Sequence, residues 1–509
     1  MQLSRENLKN IAPQKGLAIP EDKLFELPER VLQFGTGVLL RGLPDYFIDK
    51  ANRQGVFNGR VVVVKSTAQG GTDAFGKQDG LFTLCVKGIE EGNKVEETII
   101  NSSISRVLSA SDEWKNILAC ASNPEMQIVI SNTTEVGIIL VADDKINSTP
   151  PVSFPGKLLA FLHERYKAFN GSEESGMVII PTELIMDNGA KLRSIVLELA
   201  ALNKLDDAFI NWLKTANHFC NSLVDRIVPG KLPANDLATT EKQLGYTDEL
   251  MIMSECFRLW AIESDSEKVK KILSFSKVDD GVVIAPSIEK FRELKLRLLN
   301  GTHTFSCGLA HLAGFTTVKE AMADKTFASF IHNLSVQEIS AAISSDLISS
   351  DDTAAFAPKV LDRFSNPFLD HQWLSISVQF SSKMKMRNVP ILLKHYAKTS
   401  DVPETMALGF ATFLLFMKTA KNADNKYEGT ANGKSYGVQD DNVAYFAEHW
   451  QGNNSDEAVD KILADTNFWG ADLSALPGFA DAVKNNLNSL VENGAAKTMA
   501  AHQLTKIEG

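Results

Sequence analysis

A lysine, an asparagine and a histidine stand five and three residues apart in the stretch Lys295–Gly308, KLRLLNGTHTFSCG. On a helix advancing roughly 100° per residue, Asn300 and His303 fall about 140° and about 80° from Lys295, so all three share one broad face. Leu296, Leu298, Leu299, Phe305 and Leu309 around them are core-forming. Polar groups on so apolar a helix need partners or a solvated cleft. The chemistry this set could do is proton transfer at a substrate oxygen. A lysine whose pKa is lowered by partial burial can act as acid/base near neutral pH, and Asn300 and His303 could donate hydrogen bonds to a developing alkoxide. The plain alternative is a helix with two solvated residues and a capped histidine. A zinc stripe of His303, Cys307 and His311 is a rival, but i to i+8 spans about 12 Å along a helix. No CxxC or HExxH supports it, and no metal is expected.

A second candidate lies about 260 residues earlier. Arg30–Phe34 reads as a short strand and runs into Gly35-Thr36-Gly37 and an apolar helical segment from Val38 to Ala51. Arg60–Val64, RVVVV, then reads as a strand buried on both faces. This is a βαβ unit whose turn carries the first part of a dinucleotide fingerprint. Its first glycine makes the turn, and its second lets pyrophosphate approach the backbone. The third glycine is missing, with Leu40 in its place. The acid that usually holds the ribose is also absent, because Lys65-Ser66-Thr67 follows the second strand, which leaves NAD against NADP open on physical grounds. Ser131-Asn132-Thr133-Thr134-Glu135 follows the strand MQIVIS. It could face a nicotinamide or substrate, or be a turn closed by its own side chains.

Composition sets the outer limits. At 509 residues, 44% hydrophobic and 23% charged, two or three globular domains are expected. A formal net charge of −11 argues against nucleic acid as a partner but leaves room for a small anion met by a local basic pair. Five scattered cysteines fit free thiols in a reducing compartment. The polar start MQLSRENLKN lacks the apolar core of a signal peptide, and Met406–Met417 is too short to span a bilayer. A cytoplasmic protein with no membrane partner is expected, and nothing in the sequence demands more than a monomer.

Strands and helices alternate to Gly281–Ala285, after which helices follow one another without β-branched runs between them. The fold class expected is an α/β Rossmann-like N-terminal domain, 1–285, followed by a mainly α-helical C-terminal domain, 286–509. Lys421–Asp441 reads as polar loop. Gly429–Ser435 within it has only a superficial likeness to a phosphate loop, lacking the four-residue spacing and a preceding strand.

These motifs together resemble the long-chain, metal-independent polyol dehydrogenase family, which includes mannitol dehydrogenases and hexuronate reductases. Its signature K-x4-N-x2-H-x4-G is matched by Lys295, Asn300, His303 and Gly308. Supporting matches are QFGTG with Leu40-Arg41, SNTTEVGI, Asn221 with VDRI, and RFSNPFLDHQ. Where mannitol dehydrogenases carry Cys-Asp-Asn this chain has Thr182-Glu183-Leu184. That departure, with PTELIMDNG and FINWLKTANHFCNSLVDRIVPG, favours the uronate branch. The resemblance implies NAD as cofactor, touched by Phe34, Gly35, Thr36, Gly37, Leu39, Ser66, Asn132, Thr133 and Glu135. It implies Lys295 as acid/base, with Asn300 and His303 orienting and polarising the carbonyl. The small-molecule substrate would be a uronate/aldonate pair lying between the domains, D-tagaturonate and D-altronate, with fructuronate/mannonate the nearest alternative and a mannitol-type polyol third. Asp225 and Arg226 would lie near the substrate, and Arg363 and Lys383 are candidates for its carboxylate.

Overall fold

The β-branched runs pair into one parallel sheet. Strands β1 (Glu29–Phe34), β2 (Arg60–Lys65), β3 (Ile104–Ser109), β4 (Ile128–Ser131), β5 (Val178–Pro181) and β6 (His218–Phe219) lie in the order β3-β2-β1-β4-β5-β6. Every neighbouring pair is parallel. This is the order of a dinucleotide-binding sheet built of two βαβαβ halves, and its direction reverses between β1 and β4. Alternate side chains feed opposite cores. Val31, Val61, Val63, Ile128, Ile130, Val178 and Ile180 join one, while Leu32, Phe34, Val62, Val64, Val129 and Ile179 join the other. Strands covered on both faces read as continuous apolar runs, which is why they were visible in the sequence.

This computed structural model describes residues 1–66, 71–133 and 137–505. It divides into two units, Met1–Lys87 with Lys94–Glu289, and Gly88–Asn93 with Lys290–Gly509. The division falls four residues beyond the expected one, and the short segment Gly88–Asn93 groups with the second unit. Val282–Ala285, which reads as a strand of the main series, instead joins Ser222–Asp225 and Leu259–Glu263 in a separate three-stranded sheet.

The helix after the glycine turn is interrupted. It runs as α1 (Val38–Gly42), breaks at Leu43, and resumes as α2 (Pro44–Arg53). Pro44 has no N–H to give and disfavours helical geometry in the residue before it. Helix α2 buries Asp45 completely. Gln33 Nε2 donates to its Oδ2 at 3.2 Å, and among the described residues its Oδ1 meets no partner. Burial pushes the Asp45 carboxyl up to about 7, against the pull of Gln33 and Arg41.

The second unit is built on α3 (Asn300–Leu312), α4 (Ser350–Phe364) and α5 (Glu404–Phe416), with three π-helical turns at Leu294–Leu299, Asn333–Ile339 and Met384–Asn388. The expected single helix through Lys295 is therefore interrupted by a π-turn, which a short α-helical segment, Glu289–Glu293, precedes. Helix α5 is the apolar run of the sequence and is buried on nearly every side. Lys421–Asp441 is not all loop. It holds an antiparallel hairpin, Tyr427–Ala431 with Lys434–Gly437, whose turn residues Asn432 and Gly433 both have positive φ. Asn-Gly is a strong hairpin signal, and the polar strands beside it concealed it.

Among the described residues no helix is long and apolar enough to cross a membrane. All five cysteines are buried, and none forms a disulfide. Burial pushes the thiols of Cys85 to about 11 and Cys220 to about 12, and raises Cys120 and Cys307 as well.

Asp45 yields a stability test. Its pKa rises from an ordinary carboxylate value when unfolded to about 7 when folded, so its contribution is full at acid pH and lost as pH rises through about 7. Asp45→Asn removes that loss. The melting temperature of the variant, relative to wild type, is expected to gain roughly 2–4 °C more at pH 8 than at pH 5.5. An equal difference at both pH values would contradict a carboxyl that titrates in the fold.

Candidate functional site

In the first unit, the carboxyl ends of β1, β2 and β4 bring three loops together at the point where the sheet order reverses. Gly35 N donates to Val64 O at 3.0 Å and Asn132 N to Phe34 O at 3.1 Å. Gly35 has φ +130°, and a Cβ there would meet the Asn132 carbonyl oxygen at 2.8 Å and Leu40 Cδ1 at 2.9 Å. Only glycine allows this approach. Among the described residues Gly37 has nothing within 4 Å of its Cβ position, an open backbone that phosphate can approach. Thr36 and Leu39 are half-buried on either side. The close-packing duty of the absent third glycine falls to Gly42, whose Cβ would lie 2.9 Å from Val228.

Ser66 follows β2 where a dinucleotide-binding sheet usually carries its ribose-holding acid. Among the described residues its Oγ is buried without a hydrogen-bond partner, and a ribose hydroxyl would satisfy it. Glu183 straps the loop after β4. Its Oε1 accepts from Thr133 N at 2.9 Å and Thr133 Oγ1 at 3.0 Å, and its Oε2 from Ser131 Oγ at 3.1 Å. Asn132 Nδ2 donates to Thr182 O and Oγ1, both at 3.1 Å. The loop thus stands at the end of a strand and is also closed by side chains. Glu135 lies outside the described residues. These loops fit a dinucleotide.

Asp225 and Arg226 are buried in this unit. Arg226 donates to Gly42 O at 2.6 Å and Glu255 O at 2.9 Å and lies over the Tyr46 ring. Burial lowers its pKa to about 10. Its hydrogen bonds hold the end of α1.

In the second unit, the π-turn changes how Lys295 and Asn300 relate. Asn300 N–H bonds to the Lys295 carbonyl, an i→i+5 link, so the two residues are about one turn apart instead of splayed by the roughly 140° of an α-helix. Both side chains are half-buried. His303 stacks on Phe364 at 4.1 Å with 22° between planes, and the rings of His371 and Trp373 lie 5.3 and 6.4 Å away. Burial drives the His303 pKa well below its ordinary value, aided by His371, Arg363 and Arg387, while the Leu299 carbonyl opposes. Burial, Arg363 and Lys383 lower His371 in the same way.

A neutral imidazole has one N–H. With that hydrogen turned to the Leu299 carbonyl, the other nitrogen offers a lone pair. His311, on the proposed zinc stripe, packs against Tyr436 and Phe416. Among the described residues no group of three His, Cys, Asp or Glu could hold a metal ion.

The basic residues converge on the same place. Arg363 lies in the last turn of α4, Lys383 immediately precedes the third π-turn, and Arg387 lies within it. Arg387 Nη1 donates to Thr304 Oγ1 at 3.3 Å, and its neighbour Asn388 donates to Gly301 O at 3.0 Å. Arg297 of the first π-turn donates to the carbonyls of Met386 and Arg387, so the two π-turns are stitched side to side. The sequence reading missed Arg387, His371 and Glu183. His371 and Glu183 lie inside quoted motifs, but Arg387 has no signal except its basic spacing from Lys383.

Helix α3 is held by α5 at glycine contacts. A Cβ on Gly409 would meet Phe305 O at 2.8 Å, and one on Gly308 would meet Thr412 O at 3.0 Å.

A mannitol dehydrogenase Rossmann domain model matches residues 29–274, and a mannitol dehydrogenase C-terminal domain model matches residues 287–491. The chain is 36% identical to altronate oxidoreductases of Halalkalibacterium halodurans (94% of each chain covered), Bacillus subtilis (94% and 96%) and Escherichia coli (92% and 96%). In fold it is similar to Pseudomonas fluorescens mannitol 2-dehydrogenase, solved as a ternary complex with NAD and D-mannitol. That match has TM-score 0.68 and 23% identity, covering 99% of this chain and 100% of that one. It is also similar to a D-sorbitol dehydrogenase, with TM-score 0.77 and 19% identity, covering 98% and 100%. The chain belongs to the mannitol dehydrogenase family and, within it, groups with the altronate oxidoreductases.

Two measurements test this geometry. Gly409→Ala forces the α3–α5 crossing apart and is expected to cost about 1–3 kcal/mol in denaturant unfolding; no loss would mean the contact is slack. His303 and His371 have folded pKa values below the unfolded one, so the stability they allow is present above about 6.5 and lost as pH falls further. Melting temperature should drop from pH 7 to pH 5, less steeply in His303→Gln.

Proposed function

We propose that the protein is an NAD-dependent oxidoreductase that interconverts D-tagaturonate and D-altronate. The observation that carries the reading is the π-turn that sets Lys295 one turn from Asn300, beside a neutral His303 and a cluster of cations suited to a sugar acid. The 36% identity to altronate oxidoreductases along nearly the whole chain supports the substrate. The open backbone at Gly37 and the orphaned Ser66 hydroxyl support a dinucleotide held by Phe34, Gly35, Thr36, Gly37, Leu39, Ser66, Asn132 and Thr133.

NADH held at the Gly35–Gly37 turn and Ser66 would supply the hydride chemistry for reduction of the ketone carbon. The Lys295 ammonium gives its proton to the resulting alkoxide oxygen and takes one back in the oxidation direction. The Asn300 side-chain N–H polarises the carbonyl and stabilises charge developing on oxygen. The neutral His303 accepts a hydrogen bond from a substrate hydroxyl and so orients the sugar. Arg363 and Lys383 supply positive charge for the carboxylate. Glu183 holds the Thr133 loop, and Arg226 braces the glycine-bearing helix. No step calls for a metal.

Absorbance of NADH, followed with tagaturonate, fructuronate and fructose with and without EDTA, tests the reading. Turnover of tagaturonate unaffected by EDTA is expected. Preference for fructuronate would move the substrate, and loss with EDTA would sink the lysine-centred mechanism. Lys295→Ala should lose at least about 10²-fold in kcat, the lower range for one acid/base group, while NADH binding persists. A small change in kcat would count against enzymatic use of the lysine.

A further inference from the structure

Most cations near the reacting helix have acids. Arg297 and Lys394 close on Glu293 at 3.2 and 3.0 Å, and Lys290 closes on Asp352 at 2.8 Å. Two do not. Lys383 donates to the Ile376 carbonyl at 2.9 Å, and Arg387 donates to Thr304 Oγ1 at 3.3 Å. Among the described residues neither forms an ion pair. The carboxylate that Lys383 senses, Asp440, is occupied by Ser381 N at 2.7 Å, Ser381 Oγ at 2.6 Å and Asn442 N at 2.9 Å.

Both cations are half-buried. Withdrawing charge from water without a counter-charge is unfavourable, and a protein retains such a pair where an anion arrives to complete it. Position says which anion. Thr304, which receives Arg387, donates its own hydroxyl to Asn300 O at 2.8 Å, so the guanidinium sits one hydrogen-bonded residue from the carbonyl-polarising asparagine. Arg387 also acts on His303 electrostatically, and Lys383 on His371. The pair therefore faces the same site as Lys295, Asn300 and His303.

We propose that Arg387, with Lys383, receives the substrate's carboxylate and is the residue by which this enzyme selects sugar acids over neutral sugars and polyols. The planar guanidinium grips both carboxylate oxygens in the manner of an arginine fork, and the lysine adds a point charge. The Thr304 and Ile376 contacts hold the two groups ready, so little ordering is required when substrate binds. The inference rests on the function proposed above and deepens it, since neither the sequence motifs nor the family match singles out position 387.

Wild type, Arg387→Met, Arg387→Lys and Lys383→Met are compared for KM and kcat with tagaturonate and fructuronate, and for binding of D-gluconate, an aldonate probe, by calorimetry. NADH affinity and circular dichroism check that each variant is folded. Arg387→Met is expected to raise KM for the keto-uronate about a hundredfold with kcat changed less than tenfold, and to weaken gluconate binding in parallel. Arg387→Lys should recover only part of this, and Lys383→Met should lose about tenfold. KM and gluconate affinity within threefold of wild type in a folded Arg387→Met overturn the proposal. If Arg387→Met does not fold, the same limits apply to Arg387→Lys. Should wild type reduce neither uronate, the functional reading fails on its own. The carboxylate arm then stands if gluconate binds in wild type and is lost with Arg387, and falls if gluconate does not bind or binds both alike.

Discussion

Two helices can share a core at backbone range only where neither carries a side chain at the crossing, and that constraint governs the second unit. Gly308 on α3 and Gly409 on α5 are the residues that permit it. The apolar α5 is buried on nearly all sides, so it acts as a fixed post against which α3 is set. Asn300 and His303 ride on α3, and their positions are only as definite as that contact. The glycine closing the K-x4-N-x2-H-x4-G spacing is thus a packing requirement beside three polar residues, which explains why the spacing includes a residue with no polar side chain of its own.

A π-turn widens the helix and leaves carbonyls poorly matched to the ladder above them. This protein uses that property twice at one place. The first turn aligns Lys295 with Asn300, and the third exposes the Met386 and Arg387 carbonyls, which Arg297 takes up. Two locally unfavourable turns therefore satisfy each other, and the cross-link holds Arg387 beside Thr304. Burial, reinforced by the cations around His303, lowers that imidazole's pKa and keeps it neutral, so the packing and charge of the site together fix what kind of hydrogen bond the histidine offers.

The sequence displayed the parallel sheet well because strands buried on both faces must be continuously apolar, as in RVVVVK and MQIVIS. It displayed Lys295, Asn300 and His303 because their spacing is rigid. It concealed their angular relation, since a π-turn depends on tertiary support and has no local propensity signal. Arg387 was equally concealed, because a solitary surface-like arginine acquires meaning only when its missing counter-ion is known. The Tyr427–Gly437 hairpin was overlooked because polar strands offer no hydrophobic alternation, although Asn432-Gly433 marked its turn. The break at Leu43 could have been read from Pro44.

Five thiols lie out of solvent, four of them raised by burial, and this gives the protein an internal clock. An alkylating reagent can reach Cys307 only when the helix that bears Asn300 and His303 opens, while Cys85, Cys120, Cys220 and Cys256 become reachable only when the sheet-bearing unit does. Labelling rates at these positions therefore read out the opening free energy of each half separately, without any probe having to be introduced. Binding of a dinucleotide or a sugar acid would show as a slowing confined to the thiols of the half that holds it.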